Sequence, residues 1–287
     1  MIDYDALRQK RFPPIVQSYT TRDTRLYALG LNIGANPLDP MALRFVADEP
    51  PQVVATMPMA LARLGSWMRE PEVGIDYRRM VVGEVALRLH ASLPAKGRVR
   101  AAHRVVRVTD KGAGRGALVT VRRDLWDDVS GTLVAEFDQV SFCRGDGGFA
   151  VDGRHDPPES APPWDPGELV PDLVLVLPTS PQQPLIYRLS GDMNELHSHP
   201  AVARQAGFER PILHGLATLG MAGHALDLAA AEFGSRTLGA LRGRLTAPVM
   251  PGDTLRMDVW REAAGALFRV HDSQGREVIA MGRAEFH

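Results

Sequence analysis

Only one cysteine, Cys143, occurs in the 287 residues. Neither an internal disulfide framework nor a cysteine-rich metal site can be built from it, and a reducing compartment, the cytoplasm, is the expected setting. Charge of one sign is also missing. Lys and Arg number 33 against 34 Asp and Glu, so no broad field exists to hold nucleic acid or an anionic bilayer, and an anionic ligand must be met by a local cluster. A long uninterrupted hydrophobic run is absent as well. Met1 to Arg11 is charged and lacks an apolar stretch of signal-peptide length, so export is not expected. The most apolar segment, Ile212 to Ala231, carries His214, His224 and Asp227, which makes a bilayer span costly and a buried helix the natural reading. What is there is ordinary: 45% hydrophobic and 23% charged residues, a folded globular chain long enough for two modest domains or one large one.

Composition shifts once along the chain. Glycines at 145, 147 and 148 lead into Pro157, Pro158, Pro162, Pro163, Pro166 and Pro171, a segment unable to sustain a helix or inner strand. It reads as a linker over residues 146–184, between an N-terminal domain at 1–145 and a C-terminal domain at 185–287. The flanking halves echo each other. Leu26-Tyr27-Ala28-Leu29-Gly30 matches Ile186-Tyr187-Arg188-Leu189-Ser190, Asn36 to Pro40 matches Asn194 to His197 with Pro200, and Val82 to Leu87 parallels Pro251 to Leu255. Each half ends in apolar alternation around a polar turn: Ala117–Arg122 and Thr132–Phe142 in the first, Ala266–Val270 and Arg276–Phe286 in the second. That pattern predicts strand, turn, strand twice over, hence a duplicated α+β module with antiparallel strands. A long central helix is predicted over Ile212–Phe233 with Gly234 as its cap. Its first-half counterpart, Val53–Arg69, contains Pro58 and is predicted shorter or broken.

Two clusters carry chemistry. Asp192, Asn194, His197 and His199 lie close together in one segment, and a carboxylate and an imidazole around one water can move protons both ways near neutral pH. The same residues have plainer readings: Asp192 with Glu195 spells a capping box, and His199 before Pro200 suits a helix entrance. His197 and His199 could also be a metal pair, but no third ligand stands at a telling spacing, so no metal is assigned. The second cluster runs from Gly207 to Leu216. If the long helix starts there, its first amides are unpaired, and Gly215 could present its N–H to a developing oxyanion or merely allow close packing. Arg188, Arg204, Arg210, Arg242 and Arg244 are the cations that could meet phosphates.

Together the two clusters resemble the R-specific, type-2 enoyl-CoA hydratases of the MaoC-like dehydratase family. Tyr187 through Asp192, Asn194, Leu196, His197 and Pro200, then Gly207-Phe208 and Pro211 through Leu216, follow the family's hallmark in order. Tyr27 to Gly30 and the Gly83-Glu84 region look like its degenerate partner domain, so the resemblance spans nearly the whole chain. Met193, Glu195 and His199 depart from the hallmark, which usually has an aromatic, a proline and an aspartate there. The resemblance implies a double hotdog fold, two antiparallel sheets each wrapped around a helix, with catalysis in the second module and the acyl chain held by the first. It implies Asp192 and His197 as the catalytic pair, with Asn194, Gly215, His214 and Tyr187 at the substrate. The implied reaction is reversible hydration of a trans-2-enoyl-CoA to an (R)-3-hydroxyacyl-CoA, with no cofactor beyond the coenzyme A of the substrate. A non-catalytic acyl-thioester binder, a thioesterase and an acyl-carrier-protein dehydratase are the alternatives. The expected partners are the thioester and, as an open option, a second copy in a homodimer, with no nucleic acid and no membrane.

Overall fold

The computed structural model describes residues 2–159, 164, 166–230, 234 and 237–287. The first half contributes β1 (Ile15–Tyr19), β2 (Met80–Leu89), β3 (Gly97–Asp110), β4 (Ala117–Asp127) and β5 (Leu133–Cys143). The second contributes β6 (Leu173–Pro178), β7 (Leu238–Leu245), β8 (Thr254–Glu262), β9 (Gly265–His271) and β10 (Glu277–Phe286). Helices α1 (Tyr4–Gln9), α2 (Thr21–Gly30) and α3 (Pro40–Val46) precede β2, while α4 (Gln183–Tyr187), α5 (Pro200–Gln205) and α6 (Gly215–Ala229) lie between β6 and β7. Alternation puts one side of each strand in the core: Leu255, Met257 and Val259 on β8 face inward with Ala266, Phe268 and Val270 on β9.

The ten strands form one antiparallel sheet in the order β1-β3-β4-β5-β2-β7-β10-β9-β8-β6. Read outward from the β2–β7 junction, both halves have the same order, so the module is duplicated about an approximate two-fold axis at that seam. The two sheets expected are therefore fused into one, through a ladder that pairs Glu84 with Arg244 and Leu87 with Leu241. Glu84 bonds both Arg242 and Arg244 there. The topology also corrects one internal match. The counterpart of β2 is β7, so Val82–Leu87 corresponds to the strand after the long helix, and Pro251–Leu255 corresponds to the entrance of β3. Short apolar strands look alike in sequence, and pairing order alone separates them. The Tyr27 and Tyr187 segments do correspond: α2 and α4 pack together, with the two rings 6.1 Å apart. Gly30 is needed at this contact, since a Cβ there would lie 2.9 Å from the Tyr187 Cα.

The linker is shorter than its prolines suggest. Leu173–Pro178 forms an edge strand on β8, with Pro178 as its last residue, and α4 begins at Gln183. An edge strand tolerates the proline because one side of its backbone needs no ladder.

Helix α6 explains its own composition. Apolar nearly all round, it is enclosed by β7 on one side and by the first half on the other. A Cβ on Gly223 would meet Thr56 Cγ2 at 2.5 Å and Leu241 Cδ2 at 2.7 Å, and one on Gly220 would meet Leu31 Cδ2 at 2.8 Å. The helix starts three residues after Ile212, at Gly215. Residues 231–233 lie outside the described part, so the expected end at Phe233 falls there. Its first-half counterpart is broken, as Pro58 implies. Only short 3₁₀ turns form, at Met57–Met59 and Trp67–Arg69, and Ala62 takes a left-handed φ of 47°. Residues 54–61 consequently pack against α6 and over part of the first-half sheet, where Arg123 meets the Pro58 and Met59 carbonyls, and leave the rest of its inner face uncovered.

Candidate active site

That uncovered face is the floor of a cavity of about 580 Å³, roofed by residues 63–69 and closed at one end by residues 191–197. The pocket is thus the space a helix would have filled. Asp192, Asn194 and His197 all line it.

The second-half residues are placed by two tight turns. Gly191 adopts a φ of 109° at the end of the turn Arg188–Ser190, which swings Asp192 toward the cavity. Asp192 does not cap a helix; its Oδ1 accepts from the Asn194 amide at 3.3 Å in a local turn. Capping falls to Asn194, whose Oδ1 accepts from Leu196 N at 3.1 Å, while the residue lines the cavity. The capping box expected of Asp192 and Glu195 does not form; a single cap bond two residues along replaces it, and Asp192 is released.

Arg63 is the residue that sequence reasoning missed. Its Nη2 donates to Asp192 Oδ2 at 2.9 Å, with the two side chains 22% and 18% exposed. It comes from the other half of the chain, after the broken helix, and no local motif announces it. Burial alone would raise the Asp192 carboxyl, but the Arg63 guanidinium, the neighbouring imidazoles and the Asn194 amide outweigh it and hold the group below the usual value.

His197 is buried, and its Nδ1 lies 2.9 Å from the Ile212 carbonyl. A carbonyl can only accept, so Nδ1 carries the proton and Nε2 keeps its lone pair. Burial lowers the imidazole below its usual value, against the opposing pull of that carbonyl and of Asp192. The ring is therefore neutral at pH 7.

His214 and Tyr187 stand behind this pair and do not reach the cavity wall, contrary to the substrate-contacting places expected of them. The His214 ring stacks on His197 at 3.8 Å, its Nε2 donates to the Asp192 carbonyl at 3.2 Å, and Tyr187 packs on its other side at 4.9 Å. Burial, then the neighbouring His197, pushes the His214 imidazole down to about 3. Both residues are fully enclosed because the long helix and α4 meet over them. Gly215 opens α6 with its amide unpaired, as the first turn of a helix leaves it, and is half-buried outside the cavity wall. A Cβ there would lie 2.3 Å from Leu245 Cδ1, so close packing also demands the glycine. His199 is an exposed cap residue of α5 without a side-chain bond. Of the arginines, Arg242 and Arg244 are committed to Glu84 at the sheet seam.

A family model for the MaoC like domain matches residues 168–281, and one for the MFE-2 hydratase 2 N-terminal domain matches residues 17–145. Enoyl-CoA hydratase ChsH3 of Mycobacterium tuberculosis is 34% identical over 91% of this chain and 90% of its own. The 3-hydroxyacyl-thioester dehydratase Y of the same organism is 36% identical over 95% and 94%. The chain belongs to the MaoC-like dehydratase and hydratase 2 family. Among solved structures, a MaoC-like dehydratase from Phytophthora capsici superposes with a TM-score of 0.81 at 26% identity, covering 100% of this chain and 99% of that one. The fold is the double hotdog that the duplicated topology describes. Among the described residues no helix is long and apolar enough to cross a membrane.

Proposed function

We propose that the protein is a hydro-lyase that adds water across the double bond of a trans-2-enoyl-CoA to give the (R)-3-hydroxyacyl-CoA, and runs the reverse dehydration. The observation that carries this reading is a buried imidazole held through Nδ1 by the Ile212 carbonyl and a carboxylate paired to Arg63, both lining one end of the same cavity of about 580 Å³. The named relatives support the substrate class, and the family resemblance supports the stereochemistry.

Conjugation with the thioester makes the β-carbon electrophilic, and attack there drives negative charge onto the thioester oxygen. Asp192 and His197 hold the water between them. Arg63 keeps Asp192 ionised and a weak base, so His197 Nε2 accepts the proton as the water oxygen bonds to the β-carbon. The same proton then passes to the α-carbon, and both groups return to their starting states. Gly215 lies outside the cavity wall, so the positive end of α6 favours the developing oxyanion through its dipole and not by a direct amide bond. Asn194 orients the water or the thioester through its side-chain amide. His214 and Tyr187 act by position: the His214 bond to the Asp192 carbonyl and its stack on His197 fix the pair's relative placement. The thioester itself supplies the activation, so the chemistry calls for no resident cofactor.

Incubation with a trans-2-enoyl-CoA should yield a product heavier by one water, resolved as the R isomer by chiral chromatography, while saturated acyl-CoA releases no free thiol. Thiol release from the saturated substrate without hydration of the enoyl one would make the protein a thioesterase instead.

A further inference from the structure

The cavity floor holds a feature that hydration does not use. His103 on β3, Arg123 on β4 and Phe137 on β5 are direct partners across three adjacent strands and point into the cavity as one row. Arg123 is 4% exposed. Its Nη2 donates to the Pro58 and Met59 carbonyls at 2.8 and 2.9 Å, but Nε is buried with no acceptor and Nη1 has no protein partner among the described residues. No described carboxylate pairs with it; Phe137, 4.6 Å below the guanidinium, supplies only a ring face. His103 is 9% exposed, and neither of its ring nitrogens makes a hydrogen bond of good geometry, although the Ala62 backbone lies close enough to act on the ring.

Buried polar groups are nearly always bonded, and a buried cation without a counter-charge is costly, so an unsatisfied pair facing an open cavity needs an account. Polypeptide packing gives only part of one: Nη2 of Arg123 serves the Pro58 and Met59 carbonyls, but its Nε and Nη1 serve no described acceptor, and a leucine in place of His103 would continue the apolar face set by Val121, Val82 and Met80. The unpaired state shows in both groups. Burial, then the charge of Arg63, pushes Arg123 down to about 9; burial, then Arg123, pushes His103 down to about 4, with the Ala62 backbone opposing it in part. The Arg63 charge is already matched by Asp192, and Arg69 belongs to the roof, where it stacks on Tyr77 at 4.3 Å, so Arg123 is the cation of the floor without a described counter-charge.

Resting on the enoyl-CoA reading above, we propose that the preferred substrates carry an oxygen acceptor within the acyl group, a carboxylate foremost, that binds Arg123 and His103 on the cavity floor. Arg123 Nη1, the guanidinium N–H group left without a protein partner among the described residues, suits a carboxylate by charge and geometry, and His103, buried beside it, can turn a further N–H toward the same oxygen once the ligand is seated. A plain alkyl chain would bury the same groups unpaired.

The test is steady-state hydration of methyl-ended and ω-carboxyl trans-2-enoyl-CoAs matched over a series of chain lengths. Wild-type protein should favour the carboxyl-ended member by about tenfold to a hundredfold in kcat/KM at one length, expressed mainly in KM, as one charge-assisted hydrogen bond would provide. In Arg123→Gln that ratio should fall toward one. His103→Leu, which leaves the Pro58 and Met59 contacts alone, should lower the ratio by a smaller factor and serves if Arg123→Gln does not fold. Calorimetric binding of the saturated counterparts separates the two readings. A carboxyl preference in binding with no hydration of any substrate would sink the hydratase reading and keep this one. Brisk hydration with a preference for methyl ends at every length would overturn this proposal and keep the other.

Discussion

Asp192 and His197 owe their chemistry to neighbours more than to their own identity. Both lie below their ordinary pKa values, so both are unprotonated at neutral pH, and proton uptake on acidification switches the pair off. The acid limb of kcat/KM should therefore fall below the ordinary histidine value of about 6.5, with a flat profile through neutrality. Arg63→Gln removes the charge that depresses both groups, so the limb should move to higher pH and the rate should drop by about tenfold or more. An unmoved limb would show that Arg63 plays no part. This layer was partly legible: the spacing of Asp192, Asn194 and His197 is local, and sequence displays local spacing. Arg63 was not, since it reaches Asp192 only after the chain has crossed the whole first-half sheet. Tyr187 and His214 lie in the same motif as Asp192 and His197, and motif membership does not distinguish a group in the cavity from one that buttresses it.

Among the elements, α6 and its missing counterpart decide where a substrate fits. Small residues let α6 lie against both halves, so adding one methyl at Gly223, against Thr56 and Leu241, should cost about 1–3 kcal/mol. Thermal unfolding of Gly223→Ala checks this: a clear fall in Tm is expected, and an unchanged Tm would mean that the contact yields freely. The broken segment was legible through Pro58, whose ring and missing N–H oppose a continuous helix. Its result was not, because sequence gives no sign that an absent helix leaves a cavity and not a collapsed core. Leu173–Pro178 escaped for a related reason. Its flanking prolines dominate composition, while an edge strand needs hydrogen bonds along one side only.

Over the whole molecule, two modules share one sheet, and the site draws on both. The halves are joined at β2 and β7 with Glu84 between two arginines, so neither presents a finished surface without the other. Duplication could be read from the sequence, but fusion of the sheets could not, because nothing local records which edges meet. Besides His197, three buried histidines span this assembly, His103, His214 and His224, held at about 4, 3 and 4 with burial the leading cause. On acidification the unfolded chain takes up their protons first, so stability is full above about pH 6.5 and declines as pH falls toward 4, by up to about 1.4 kcal/mol per pH unit for each. Tm measured across that range should fall on the acid side, and a constant Tm would contradict the burial of these rings. The central claim remains that one carboxylate and one imidazole work on the same water. It is met most directly by following loss of the conjugated thioester absorbance for wild type, Asp192→Asn and His197→Ala, each shown by circular dichroism to be folded. The account predicts a fall in kcat of about 10²- to 10⁴-fold for each variant. Folded variants that keep most of the wild-type rate would contradict it.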